Sequence, residues 1–123
     1  MIDYTVYKFI HFLGIIMIFV SLGGVMVHVF NSGAKADNVW RKPAGITHGI
    51  GLFLVLLGGF GMMARLGIHW PWPGWLFVKL AIWLVLGGAT GLVYRLGARG
   101  KSLWVVVLLL GAIAAYMAIM KPL

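Results

Sequence analysis

Cysteine is absent from the 123 residues. That excludes disulfides, thiolate-bound metals, iron–sulfur ligation and covalent haem attachment through CxxCH. Carboxylates are nearly absent as well: Asp3 and Asp37 are the only two. Both fall outside the apolar stretches, which argues against buried acidic proton relays and hard-cation cages. Charged residues make up 10% of the chain, against about 25% in an ordinary globular domain. What fills the chain instead is hydrophobic residues, 63% of the total. They gather in four runs, roughly Tyr7 to Phe30, Ile46 to Ala64, Trp75 to Tyr94 and Leu103 to Met120.

A helix rises about 1.5 Å per residue, so about 20 apolar residues cross a hydrocarbon layer about 30 Å thick. No water in that layer can satisfy backbone amides, so each run is expected to be a helix. The sequence therefore predicts an all-α integral membrane protein, a four transmembrane helix bundle in which residues 1–123 form a single domain. The formal charge of +8 would suggest nucleic acid in a soluble protein. Here the cations sit in connectors and at helix ends, which fits lipid headgroups, and no nucleic-acid partner is expected. Six of them (Lys35, Arg41, Lys42, Arg95, Arg99, Lys101) fall in connectors one and three, and Lys8, Arg65, Lys79 and Lys121 on the other side. The positive-inside rule then puts connectors one and three in the cytoplasm and both termini outside. The layout reads as a multi-pass protein of a bacterial inner membrane. Ala34-Lys35-Ala36 imitates a signal-peptidase site, but the preceding run is too long and its charge lies after it, so an uncleaved first helix is expected.

The second connector, LGIHWPWPG, interleaves Trp70 and Trp72 with Pro71 and Pro73 just before Trp75. Proline prevents a regular helix there and indole rings favour the headgroup level, so a turn at the bilayer surface is expected. A lid over a substrate or quinone is the functional alternative. Glycine is grouped: Gly45/Gly49 and Gly87/Gly91 have GxxxG spacing, and Gly58, Gly59 and Gly61 cluster in the second run. Close helix contact is the expected use of these residues, and room for a flat cofactor is the other.

The polar residues inside the runs carry any chemistry. With the first and third helices entering from one side, His11 and Lys79 lie at about the same depth. The second and fourth helices bring Met62, Met63, Met117 and Met120 to that same half. At 100° per residue, Gly14 lies about 60°, Ser21 about 80° and His28 about 100° from His11, a polar and small stripe. From Lys79, Trp83 lies at about 40°, Thr90 at about 20° and Tyr94 at about 60°. Opposed inside a bundle, those faces would enclose a site made of His11, Gly14, Lys79 and Trp83. His28 closes the first run and His48 opens the second, so these two could approach each other across connector one. Lysine near a membrane end also snorkels, so Lys79 reads equally as an anchor. His69 sits in a surface turn. His11 is the hardest to explain without a partner, because an imidazole in an apolar helix needs one.

Neutral imidazole is a common axial ligand of haem, and methionine another. A bundle supplies the apolar slot, and basic side chains near the headgroups could pair with propionates. Copper bound by histidine and methionine, a soft set suited to Cu(I), is the alternative. His11 is the first candidate metal ligand and His48 the second. A different class of reading is a non-catalytic subunit of a larger membrane complex, or a homo-oligomer, whose glycine faces meet partner helices.

With YKFIHFLGI at 7–15, PGWLFVKLAIWLVLG at 73–87 and MKPL at 120–123, the chain resembles the small four-helix membrane proteins around the HemJ-type protoporphyrinogen oxidases. The SirB and CopD families look similar. The resemblance implies a b-type haem served by a first-helix histidine and a third-helix lysine, positions on which His11 and Lys79 fall. The resemblance points to an oxidoreductase; if the chain is an oxidase, electrons would leave the substrate through the haem to a quinone or a membrane redox partner. One region departs: SLGGVMVHVFNSG at 21–33 carries no arginine where those proteins have an aromatic, arginine-containing stretch. His48, in KPAGITHGIG, is additional to the family pattern.

Overall fold

A computed structural model describes residues 3–122 and contains four long helices. They are α1 (Tyr4–Phe30), α2 (Arg41–Leu66), α3 (Gly74–Leu96) and α4 (Leu103–Met120), with a 3-10 turn at Gly97–Gly100. All four are long and apolar enough to cross a membrane. Successive helices run up and down, so α1 and α3 begin where α2 and α4 finish; we call this the Tyr4 end and the opposite one the Arg41 end. Leu123, last residue of the MKPL motif, lies outside the described residues.

α2 starts five residues before the apolar run does. Its first turn is Arg41-Lys42-Pro43, and a proline in a first turn sacrifices no intrahelical hydrogen bond. Hydropathy alone cannot see such a polar opening turn. At its other end α2 stops on Gly67, whose φ of +72° is the left-handed conformation that glycine adopts without a steric penalty.

The tightest contact joins α1 to α2, and glycine makes it. A Cβ on Gly14 would stand 2.6 Å from the Gly51 carbonyl oxygen, and one on Gly51 would stand 2.8 Å from the Gly14 oxygen. A Cβ on Gly58 would stand 2.5 Å from the His11 amide nitrogen, and one on Gly61 would collide with the Tyr7 ring. Backbones pressed this close gain dispersion contact, which drives helix association where lipid removes the hydrophobic incentive. The GxxxG pairs do not serve this contact. A Cβ on Gly45, Gly49 or Gly91 would have no neighbour within 4 Å, and one on Gly87 would only touch Leu52 at 3.7 Å.

α3 joins through a stripe spaced by three and four residues: Ile82, Leu86, Ala89 and Val93 pack with Ile18, Leu22, Val25 and Val29 of α1. Two side chains also strap it to α2. The Trp83 indole Nε1–H donates to the Leu52 carbonyl at 3.0 Å, and His48 Nε2–H to the Leu86 carbonyl at 3.1 Å. α4 is held least, with Val107 its one buried residue.

Connector one is tied down. The His28 Nε2–H is shared between the Ala34 carbonyl and Asp37 Oδ1, each at 2.9 Å, and Asp37 Oδ1 also accepts the Ala34 N–H at 2.7 Å. The Ala34 amide, and after it the His28 ring, hold the Asp37 carboxyl below its ordinary pKa. Asn38 reaches α3, its Nδ2 donating to the Tyr94 hydroxyl at 2.9 Å. Connector two forms an aromatic cluster: Trp72 lies 5.4 Å from Trp70, 5.7 Å from Phe60 and 5.9 Å from Phe77, centroid to centroid.

Candidate functional site

The seam between α1 and α2 orients the first functional side chain. His11 is 6% exposed and directs Nδ1 at the Val55 carbonyl oxygen, 2.9 Å away. A carbonyl only accepts, so Nδ1 carries the proton and Nε2 keeps its lone pair. Gly59 runs alongside this edge of the ring: a Cβ there would make ordinary contact, 3.5 Å from Nδ1 and 3.6 Å from Cε1. The Nδ1–Cε1 edge therefore faces α2, and the Nε2 edge is turned away from it. Thr90 Oγ1 is the one enclosed side-chain N or O atom without a partner among the described residues. Nε2, which makes no hydrogen bond, is thus not sealed in but opens onto a cavity.

That cavity measures about 600 Å³ and is bounded by all four helices at the Tyr4 end, within the usual size of ligand sites, about 300–1,000 Å³. His11, Val55, Lys79 and Trp83 form part of its wall, and its deep end is apolar, with Ile18, Phe19, Leu86 and Gly111. Tyr4, Lys8 and Lys121 also line it, and neither Asp3 nor Asp37 does. Lys8 lies 5.8 Å from the Phe12 ring centroid and Lys121 5.4 Å from that of Trp75. Lys79 is half-buried and has no hydrogen bond or ion pair to a described residue. Three amines and one imidazole thus share a cavity that no acidic side chain neutralises.

A smaller opening of about 60 Å³ lies between α2 and α3. Only Leu56, Phe60 and Leu80 of its walls are its own; the others, His11, Lys79 and Trp83 among them, also line the large cavity.

The remaining candidates go elsewhere. Gly14 lies on the α1/α2 seam and lines neither cavity. His48 is 6% exposed near the Arg41 end, spends Nε2–H on Leu86, and also lines neither. His28 and His48 take separate partners, Asp37 and Leu86. The first-helix stripe of His11, Gly14 and Ser21 is buried, but His11 and Gly14 turn to α2 rather than to α3. Gly51 and Gly58 cause this, because they draw α2 within backbone contact. Met62 and Met63 line the large cavity, and Met117 packs beside Met63 and Trp75. Sequence reasoning missed Val55, whose carbonyl orients the imidazole. The recurrence of glycine at 51 and 58, one heptad apart, was the available signal. Among the described residues no three His, Cys, Asp or Glu side chains gather as a metal site. No protein-family model, curated protein or solved structure matches the chain.

Proposed function

We propose that this chain is a membrane-embedded b-type haem-binding redox protein, carried by a bacterial inner membrane with both termini outside. One observation carries the reading: His11 spends Nδ1–H on a backbone carbonyl and opens Nε2 onto a cavity of about 600 Å³. Histidines that ligate metals generally donate their second ring nitrogen to such an acceptor, which fixes both tautomer and ring plane. The donor set fits haem. The walls are apolar, the axial candidate is neutral imidazole, and Lys8, Lys79 and Lys121 supply cations for two carboxylates. A bound haem would supply one-electron chemistry. The chain's own residues would hold it by His11, orient its propionates by the lysines and exclude water with the apolar deep end. The likeness of residues 7–15 and 73–87 to the HemJ-type pattern points the same way, while the arginine-free stretch 21–33 argues against carrying over porphyrinogen oxidation. A bare copper ion has a poorer case, having only His11 with the thioethers of Met62 and Met63 in this cavity.

A second reading, a non-catalytic subunit of a larger membrane complex or a homo-oligomer, draws on the bare surface of α4 and the open glycines Gly45, Gly49 and Gly91. Absorption spectra of protein purified with its native lipids separate the two. The haem reading expects Soret and α bands that His11→Ala abolishes and His48→Ala keeps. A colourless wild type, or pigment lost only with His48→Ala, overturns it.

A further inference from the structure

Three lysines serve two propionates in the haem reading, so one amine is left over, and Lys79 alone of the three also lines the small opening between α2 and α3. An ammonium has three donors and no acceptor. Lys79 uses none of them on a described residue; the charge acting on it is the like charge of Lys121, and the lone pair of His11 Nε2 is the one the haem reading commits to iron. Leaving such a group unpaired among apolar walls is costly, so the complement of this opening is an acceptor oxygen. The other walls define what carries that oxygen. Leu56, Phe60 and Leu80 are apolar, and Lys79 and Leu80 lie five and six residues into α3, about 8 Å from its start. In a bilayer that level lies within the hydrocarbon layer, so the opening faces lipid-dissolved compounds. Trp83, held by its bond to the Leu52 carbonyl, presents a fixed indole, against which a flat ring packs well. The opening admits the leading edge of a ring and leaves any tail in the lipid.

From these features we propose that the α2/α3 opening docks a lipid-dissolved ring compound of the quinone class, whose ring oxygen accepts a hydrogen bond from Lys79. This deepens the redox reading and rests on it for the compound's role. It places the reactant beside the large cavity, with which the opening shares His11, Lys79 and Trp83.

The test titrates decylubiquinone into protein held in lipid nanodiscs and follows tryptophan fluorescence. Saturable quenching is expected. Decylbenzene, which lacks the oxygens, should bind at least about tenfold more weakly, as should decylubiquinone to Lys79→Met, because a hydrogen bond to a charged group is lost. Leu80→Trp fills the opening without touching the large cavity, so it should weaken ring binding and leave the haem spectrum unchanged. Leu56→Phe repeats the test should Leu80→Trp not purify. Equal binding of decylbenzene, or wild-type affinity in Lys79→Met, overturns the proposal. Loss of pigment from the wild type with ring binding intact overturns the haem assignment alone.

Discussion

Gly58→Ala adds one methyl group where two backbones meet. The new Cβ would lie 2.5 Å from the His11 amide nitrogen and 2.6 Å from the Tyr7 carbonyl oxygen, whereas ordinary contact begins at 3.4 Å. Neither neighbour is a flexible side chain, so α1 and α2 must part by roughly 0.9 Å, the shortfall in that contact. Overpacking of this kind costs about 1–3 kcal/mol. Alanine also favours helix over glycine by about 1 kcal/mol, which offsets part of the cost. Gly91→Ala isolates the packing contribution, because it carries the same helix preference into open space. The difference between the two variants should therefore be about 1–3 kcal/mol, with Gly58→Ala the less stable. Thermal melts by circular dichroism in one detergent give the ranking. The shift also acts on the site. The His11–Val55 bond, now 2.9 Å, lengthens past hydrogen-bonding range if the whole displacement falls on it, so pigment content should drop with stability. A Gly58→Ala protein that melts at or above Gly91→Ala would refute the seam.

Two further outcomes follow from the connectors. Arg99→Cys should resist an impermeant thiol reagent added to intact cells and react after lysis, with no native cysteine to compete; labelling from outside reverses the topology. Because the folded pKa of Asp37 is depressed, its tie to connector one is intact above the ordinary carboxylate value of 3.8 and is lost as pH falls below that. The Ala34 amide resonance should titrate with a midpoint under 3.8, and in Asp37→Asn it should not titrate in that range; a wild-type midpoint at 3.8 or higher contradicts the arrangement.

Four long apolar helices were legible because run length against bilayer thickness leaves little freedom. The shared depth of His11 and Lys79 was legible for the same reason, and both line one cavity. Helix facing was not. The angular argument turned His11 towards Lys79, yet the imidazole proton goes to Val55 on α2. Hydrophobic periodicity is weak in a helix that is apolar on all sides, so nothing in α1 announces which neighbour it prefers. GxxxG spacing pointed at Gly45/Gly49 and Gly87/Gly91, which make no such contact; of the clustered glycines Gly58 and Gly61 do, together with Gly51, which no motif marked. The polar first turn of α2 hid from hydropathy. The slight burial of α4 was equally invisible, since a helix facing lipid and one facing protein have the same composition.

The unequal grip among the helices has a consequence for biogenesis. α1 and α2 are neighbours in sequence and make the closest contact, so they can pair as a hairpin soon after leaving the translocon. α3 then docks on a surface already made, fastened by Trp83 and His48. α4 arrives last, yet Gly111 and Ala114 on it line the large cavity. The enclosure is therefore incomplete through most of synthesis, and His11 meets the bilayer before it meets its finished pocket. In the haem reading proposed above, loading of the cofactor would belong to the final stage of insertion, when the last helix closes over it.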